Sequence, residues 1–235
     1  MSIPTSAPID LQAHYDAMWE RAFGAVATGD IDCDARLAAG PDPRRGLTLI
    51  ARPGAALAGR FDALLDRLAG CEPRQYRQPG ADMHVTVLSL FTVTDDPVAE
   101  LARVDEYRAA VRSALDGIGT FGIDFCGITL SRGAVLARGF PRGPALEMLR
   151  ERLRGALRAR GLDGSLDQRY RLVTAHVTLL RFVAPLREPS RFAALLEALR
   201  DEPLGSMQVD SLELVINDWT MSSGSLQRVE AWSLA

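Results

Sequence analysis

Two pentapeptides of nearly the same sequence recur in different halves of this chain. The first, His84–Leu88, reads HVTVL, and the second, His176–Leu180, reads HVTLL. Both are rich in β-branched and apolar residues, which favours strands. Because residues i and i+2 of a strand point to the same face, each segment is predicted to present its histidine and threonine together. The valine between them should face the opposite, helix-covered side.

The segments around the pentapeptides repeat as well. The order strand, helix, motif strand, helix, strand occurs twice, with Leu47 matching Ala134 and Phe121 matching Met207. Such internal similarity predicts a duplicated α+β protein with two similar lobes, in units of about 47–130 and 134–235. The strand from Ala134 fits either the end of the first unit or the start of the second.

The predicted elements follow hydrophobic periodicity and turn residues. Four helices start at a proline, the residue that best tolerates the first helical position: Pro53, Pro97, Pro144 and Pro189. The predicted strands cover residues 47–50, 83–91, 121–130, 134–140, 172–183, 207–216 and 227–234. A tight hairpin turn is expected at Ser131–Gly133, because serine, arginine and glycine separate two strand patterns there.

Residues 1–45 are predicted to form an N-terminal extension with one amphipathic helix, ahead of a main domain over residues 46–235. Asp10 is the predicted helix cap. The apolar stripe has helical spacing and consists of Leu11, Tyr15, Met18, Trp19, Ala22 and Phe23. The helix is expected to pack on the main body, with a lid or partner contact as the alternative. His14 has no repeated partner and is interpreted as a surface or packing residue.

Composition narrows the chemistry. The 235 residues carry a net charge of −3, which argues against a surface built for bulk nucleic-acid binding. All 27 basic residues are arginine. The absence of lysine excludes a Schiff-base lysine, a phosphate-loop lysine and a kinase-type lysine. Any phosphate must therefore be held by arginine, hydroxyl groups or backbone N–H groups.

Other functional classes lack their motifs. The three cysteines are far apart and form no CxxC, and no histidine or carboxylate cluster has metal-ligand spacing, so no metal or cofactor is expected. Neither GxGxxG before a helix nor GxSxG is present. No signal peptide and no apolar stretch of about 20 residues is found. The expected protein is cytoplasmic, with no membrane association and no obligate protein partner.

The matched histidines suit phosphodiester chemistry. The imidazole pKa of about 6.5 allows one neutral and one protonated ring near neutrality, so one histidine can take a proton from water while the other gives one to the leaving oxygen. Thr86 and Thr178 can bind the non-bridging oxygens, and no metal is required. A lone strand histidine is usually structural, but two in matched repeats favour catalysis. A non-catalytic binding module and a structural relic are the alternatives.

The segments His84–Val87 and His176–Leu179 resemble the signature of the two-histidine (2H) phosphoesterases, which include RNA 2′,3′-cyclic phosphodiesterases, also called 2′-5′ RNA ligase-like proteins. The resemblance spans about residues 45–235. It implies a bilobal fold with two antiparallel sheets and flanking helices around a central groove. It also implies metal-independent opening of a cyclic phosphate on a nucleotide or RNA end, with His84 as acid and His176 as base. The region before Leu47 is longer than the compact members need.

Three further residues are candidates for substrate binding. Arg181 follows His176 at position +5, where some family members also have arginine, although strict alternation puts it on the opposite face unless the strand twists. Tyr76 and Tyr170 precede the two motifs and are candidates for stacking on a base. The arginines between Arg150 and Arg160 are interpreted as the polar side of an amphipathic helix.

Overall fold

A computed structural model describes residues 10–37, 42–168 and 170–235. Residues 1–9 and 38–41 of the predicted extension lie outside the described residues. The helices are α1 (Leu11–Thr28), α2 (Ala55–Cys71), α3 (Val98–Leu101), α4 (Val104–Leu115), α5 (Ala145–Arg158) and α6 (Pro189–Leu199). The strands are β1 (Arg45–Ala51), β2 (Tyr76–Arg77), β3 (Val85–Thr94), β4 (Phe121–Ser131), β5 (Ala134–Pro141), β6 (Val177–Arg181), β7 (Pro203–Val209), β8 (Ser211–Asn217) and β9 (Gln227–Ser233).

Two antiparallel sheets organise the fold, which confirms the predicted fold class. One has the strand order β3-β1-β8-β9 and the other β2-β6-β5-β4-β7. In the first sheet the motif strand β3 pairs with β1, and in the second the motif strand β6 pairs with β5. β4, from the first half of the chain, pairs with β5 of the second half, while β8 of the second half pairs with β1 and β9 pairs with β8. Each sheet therefore contains strands from both halves.

This exchange corrects one predicted equivalence. The expected strand from Met207 to Ile216 is two strands, β7 and β8, which belong to different sheets. Phe121 and Met207 do not occupy matching positions, because β4 and β7 are neighbours in one sheet, with Ile123 opposite Met207. β8 corresponds to β4 instead, since each pairs with the first strand of the other half. The strand pattern alone does not reveal the break at Asp210.

Other predicted boundaries also shift. The helix expected from Pro97 is interrupted, giving the single turn α3 and then α4. The strand expected from Leu172 begins only at Val177, so that residues 172–176 run outside the ladder. Both histidines therefore lie immediately before their strands. The two-residue hairpin turn between β4 and β5 is confirmed, with Ser131 opposite Ala134.

The larger of two hydrophobic clusters among the described residues joins the two sheets. It includes Leu49 of β1, Phe61 of α2, Leu153 of α5 and Leu179 of β6, each no more than 1% exposed. Each such side chain contributes about 1.5–3 kcal/mol by leaving water. Because the cluster is continuous across both sheets, the packing of one half depends on the other.

Helix α1 packs on this body, as expected for the N-terminal extension. The carboxylate of Asp10 accepts a hydrogen bond of 3.0 Å from the N–H of Ala13 and caps the helix. Tyr15 and Trp19 are buried, and the helix contacts β4 and α6. The helices of the described residues include none that is both long and apolar enough to cross a membrane.

Candidate active site

A groove between the two sheets contains both motif histidines. Its volume is about 690 Å³. One side is formed by β1, β3 and β8, and the other by β4, β5 and β6. His84, Thr86, His176 and Thr178 all line it, so the structure brings together the four residues of the repeated motif. Arg181 and Tyr170 line the same groove.

His84 is held by the chain that leads into β3. Its Nδ1 lies 2.7 Å from the carbonyl oxygen of Asp82. Because a carbonyl oxygen can only accept, Nδ1 donates, and Nε2 remains for a ligand. The Asp82 carboxylate is buried and accepts a hydrogen bond of 2.8 Å from the N–H of Ser223, which anchors the turn. The imidazole orientation is therefore set by the backbone just before the strand.

His176 has a different partner. Its Nδ1 lies 2.7 Å from the hydroxyl of Thr174. A hydroxyl group can donate or accept, so this contact orients the ring without selecting one tautomer. Thr174 stands two residues before His176, as Asp82 does before His84, but the first motif uses a backbone carbonyl where the second uses a side chain. The two imidazoles are equivalent in position and unlike in their hydrogen bonding.

Both histidines have a strongly lowered pKa. Burial and the nearby cations Arg52 and Arg181 lower the pKa of His84 to about 4, against the opposing effect of the Asp82 carbonyl. Burial, His84, Arg150 and Arg181 lower the pKa of His176 to about 4. In the free protein both rings are therefore neutral at pH 7. A bound anion between them would favour protonation by the same electrostatics, with the opposite sign.

A β-bulge explains how Arg181 reaches the groove. In the pairing of β5 with β6, Val135 lies opposite Leu180 and Leu136 opposite Thr178, which leaves Leu179 as an extra residue. The bulge shifts the alternation by one residue. Thr178 and Arg181 consequently share the groove face, while Leu179 and Leu180 are both buried. Strict alternation predicted the opposite face for Arg181, and the bulge corrects that prediction.

The first motif contains a bulge at the same place. Leu49 lies opposite Leu88 and Ile50 opposite Thr86, which leaves Val87 as the extra residue of β3. The displaced register brings Ser89 to the groove. Ser89 follows its histidine at position +5, as Arg181 does in the second motif. The repeat therefore extends beyond the pentapeptides to the bulges that follow them.

The guanidinium of Arg181 is available to bind an anion in the groove. Its side chain is largely buried, and burial lowers its pKa from the usual value for arginine. In the described part of the chain no carboxylate oxygen lies within 4.0 Å of its guanidinium, and its buried Nε has no hydrogen-bond partner. An unpartnered buried donor is costly unless a ligand or water satisfies it. Its position beside the two histidines suits a phosphate oxygen.

Arg150, which sequence reasoning placed on the polar side of α5, is instead 3% exposed and ties the two motif segments together. Its guanidinium donates four hydrogen bonds, all to backbone carbonyls. The acceptors are Val87 at 2.8 Å, Thr86 at 3.0 Å, Val173 at 2.9 Å and Thr174 at 2.7 Å. The first two belong to the bulged part of β3, and the last two lead to His176. Its fork of five donors explains why arginine can make this bridge.

Tyr15 of α1 supports the second motif from behind. Its hydroxyl accepts hydrogen bonds from the N–H groups of Ala175, at 3.1 Å, and Gly139, at 3.3 Å, and donates one to the Gly139 carbonyl at 3.0 Å. A Cβ atom on Gly139 would lie 2.0 Å from the Ala175 carbonyl oxygen, so glycine is required for this close approach. Before His176, hydrogen bonds from the side chains of Tyr15 and Arg150 thus take the place of backbone hydrogen bonds between strands.

The remaining predicted residues fall in different places. Tyr170 is 66% exposed at the groove. Tyr76 does not line the groove; it pairs with Arg181 across β2 and β6, so the geometry gives no support to its predicted stacking on a base. The groove also includes Asn217, whose buried Oδ1 accepts no hydrogen bond within the described residues. Nothing in the local sequence marks Asn217, because only the exchange of β8 brings it here.

Metal binding has no evident site among residues 10–37, 42–168 and 170–235. No group of three or more histidine, cysteine, aspartate or glutamate side chains in this part of the chain is placed to hold a metal ion. Asp167, a carboxylate in the lining of the groove, is paired with Arg154, and the other polar side chains of the lining include hydroxyls, amides and guanidinium groups. These groups bind anions and hydrogen-bonding ligands better than they bind divalent cations.

Comparisons with known proteins agree with this geometry. The family model described as the 2′-5′ RNA ligase superfamily matches residues 53–219, which contain both motifs. TT0787 of Thermus thermophilus shares the fold with a TM-score of 0.56 at 17% identity, covering 81% of this chain and 97% of its own. E. coli LigT complexed with 3′-AMP gives a TM-score of 0.51 at 19% identity, covering 83% of this chain and 99% of its own.

No curated protein sequence matches the chain at a significant level. The family model nevertheless spans most of the chain, and the solved structures share its two-sheet architecture over nearly their whole length. The repeated motif, the groove and the matched segment lead to one conclusion: the chain belongs to the 2′-5′ RNA ligase superfamily, within the two-histidine phosphoesterases.

Proposed function

We propose that this protein is a metal-independent phosphodiesterase that opens 2′,3′-cyclic phosphates on RNA ends or nucleotides. The observation that carries the proposal is the placement of two imidazoles, two threonine side chains and an unpaired arginine in one groove. The two rings are close enough that His84 lowers the pKa of His176. A phosphate between them would meet an acid, a base and hydrogen-bond donors for its oxygens.

The reaction needs one group that accepts a proton from water and one group that donates a proton to the leaving ribose oxygen. Water attacks phosphorus as one neutral imidazole takes its proton, and a P–O bond forms. The bond from phosphorus to one ribose oxygen breaks, and the protonated imidazole gives its proton to that oxygen. Thr86, Thr178 and Arg181 stabilise the negative charge on the non-bridging oxygens of the transition state. The product is a ribose monoester with the opposite hydroxyl free.

We assign His84 as the acid and His176 as the base. The carbonyl of Asp82 accepts from Nδ1 of His84 and raises its pKa, so this ring holds a proton more readily. Every influence on His176 acts to lower its pKa. When Thr174 accepts from Nδ1 of His176, the Nε2 lone pair is free to take a proton from water. These contacts support the order that the family resemblance implies.

Ligands of a structural neighbour support the choice of substrate class. E. coli LigT has been crystallised with 3′-AMP and with phosphate. Both ligands contain the group that our mechanism requires between the histidines. We therefore expect this groove to bind the ring-opened nucleotide product, with its phosphate monoester near His84 and His176.

The test is hydrolysis of 2′,3′-cyclic nucleotides and of RNA with a cyclic 3′ end, in the presence of EDTA. The wild-type chain should turn over at least one of these substrates. Replacing one catalytic imidazole in His84→Gln or His176→Gln should lower kcat by about 10²–10⁴-fold, the usual contribution of acid–base catalysis. Thermal unfolding of each variant serves as the folding control. Activity retained in both variants would sink the proposal.

A binding measurement separates catalysis from binding alone. Calorimetric titration with a 2′-nucleotide, the ring-opened product, should show binding to the wild-type chain and to a folded His176→Gln variant. Binding without turnover of any cyclic substrate would instead identify the groove as a non-catalytic module for phosphorylated ends. Arg181→Gln should weaken binding of the product in either case, because it removes the unpaired cation of the groove.

A further inference from the structure

Helix α1 forms a wall of the groove. His14, Met18 and Arg21 line it, although the family model begins only at residue 53. Gln168 and Tyr170, from the segment that precedes the second motif, line the same groove. The groove therefore extends past the histidine pair into a part that the matched segment alone does not build. Its volume of about 690 Å³ falls within the range of about 300–1,000 Å³ for sites that enclose whole small molecules.

Some charged side chains that line the groove have an ion-pair partner, and others do not. Arg171 is paired with Glu151 at 2.6 Å, and Asp167 is paired with Arg154 at 2.6 Å. Arg21 has no carboxylate oxygen within 4.0 Å among the described residues. Burial, and after it the positive charge of Arg21, lowers the pKa of the neighbouring His14. A neutral His14 can still donate one N–H beside this cation.

Two arginines that line the groove thus have no carboxylate oxygen within 4.0 Å among the described residues, Arg181 beside the histidines and Arg21 on α1. The chain as a whole carries a net charge of −3, so this local excess of positive charge does not follow from composition. An arginine that lines a groove without a carboxylate partner is available for a bidentate contact to phosphate.

We propose that Arg21 and His14 form a second phosphate subsite, which binds the phosphate on the 5′ side of the nucleotide whose cyclic phosphate is opened. The inference rests on the proposed function and specifies its substrate. The preferred substrate has two phosphate groups, one held between the catalytic histidines and one at α1. Tyr170 offers an exposed aromatic face in the same groove, on which a base of this substrate can stack.

The helix that carries the subsite is rigidly held. Tyr15 and Trp19 are buried, the Asp10 cap fixes its first turn, and the Tyr15 hydroxyl bonds to the backbone next to His176. The subsite and the second catalytic histidine are therefore positioned by the same helix. Preorganisation of this kind lowers the entropic cost of binding a longer substrate.

The experiment compares three substrates: a 2′,3′-cyclic mononucleotide with a free 5′ hydroxyl, the same nucleotide with a 5′-phosphate, and a dinucleotide with a cyclic 3′ end. Kinetics are measured for the wild-type chain, Arg21→Gln and Arg158→Gln. Arg158 is a matched control, because it is an exposed helical arginine, with a side chain 60% exposed, that does not line the groove.

Arg21→Gln should lower kcat/KM by about tenfold or more on substrates with a second phosphate, as expected for loss of a charge-assisted contact. The substrate with a free 5′ hydroxyl should change less than about twofold, and Arg158→Gln should leave all three unchanged. An effect on the dinucleotide alone identifies an internal phosphodiester as the ligand, and an effect on both identifies any 5′-side phosphate.

Equal losses on all three substrates, or no loss on any, would overturn the subsite while leaving the proposed activity intact. Absence of turnover by the wild-type chain on every substrate would instead reject the proposed function. A charge-reversed variant, Arg21→Glu, adds a second measurement. It should lower kcat/KM on the doubly phosphorylated substrates further than Arg21→Gln does, because a carboxylate repels the second phosphate.

Discussion

The guanidinium of Arg150 donates a hydrogen bond of 2.7 Å to the carbonyl of Thr174, and the hydroxyl of Thr174 meets Nδ1 of His176 at 2.7 Å. The same guanidinium binds the carbonyls of Thr86 and Val87 in the other motif. One buried side chain thus links the two motif segments through their backbones. The separation of the two imidazoles depends on this link, since the motif strands β3 and β6 belong to different sheets.

Arg150→Met should lower both stability and activity. It leaves four carbonyls without their donor, two in buried and two in part-buried hydrogen bonds, which we expect to cost about 3 kcal/mol or more in the free energy of unfolding, measured by urea denaturation. It also removes a positive charge that lowers the pKa of His176. The pKa of His176 should therefore rise, and because His176 is the assigned base, the loss of kcat/KM at acidic pH should begin at higher pH.

Arg150→Lys keeps the charge but loses the fork of donors. We expect partial recovery of stability and a pH profile close to that of the wild-type chain. Arg158→Met on the exposed side of the same helix serves as the matched control and should change stability by less than about 0.5 kcal/mol. A kcat unchanged in folded Arg150→Met would contradict a positioning role for Arg150.

Tyr15→Phe tests the link between α1 and the second motif. The change removes the hydroxyl that serves the N–H groups of Ala175 and Gly139, which should cost about 1–3 kcal/mol of stability. Because Ala175 precedes His176, kcat should fall as well. Tyr107→Phe is a suitable control, since Tyr107 is also buried but packs against Phe91 from α4, away from the groove. Similar losses of kcat in both variants would refute a specific role for Tyr15.

The sequence predicts those parts of the site that follow from local periodicity. His84 and His176 could be found because each begins a short strand pattern whose i and i+2 side chains share a face. Arg181 could be placed only with knowledge of the bulge at Leu179, where two apolar residues in succession are buried. Alternation assumes a regular ladder, and nothing in the apolar run distinguishes a bulge from a regular strand.

Arg150 is buried for a reason that local sequence patterns do not predict. Its position in an arginine-rich amphipathic helix favours a solvated side chain. The structure buries it because the chain before His176 leaves the ladder and exposes carbonyls that need donors. That need arises only when β4 and β8 exchange between sheets and bring α5 against β3. Long-range topology, which no local pattern encodes, thus decides the role of this residue.

The lowered pKa values predict how rate depends on pH. The proposed mechanism requires one protonated and one neutral imidazole, and in the free protein both pKa values are about 4. We expect kcat/KM, which reports the free protein, to fall as pH rises above about 4. A bound phosphate raises the pKa of the acid, so kcat should stay constant to a higher pH. A kcat/KM that remains constant beyond pH 6.5 would contradict the lowered pKa values.

The same shifts predict acid sensitivity of the fold. A histidine whose folded pKa lies near 4 takes up its proton in the unfolded chain first, at about 6.5. Its contribution to stability is therefore complete above pH 6.5 and is lost as pH falls towards 4, by up to about 1.4 kcal/mol per pH unit for each ring. Carboxylates with a lowered pKa, such as Asp167, add their loss only at lower pH.

The test measures the free energy of unfolding in urea from pH 7.5 to 5. This free energy should fall more steeply for the wild-type chain than for a folded His84→Gln/His176→Gln variant. His14, which keeps its own lowered pKa in both chains, cancels in this comparison. Parallel pH dependence in the two chains would show that the motif histidines are protonated as easily in the folded protein as in the unfolded one.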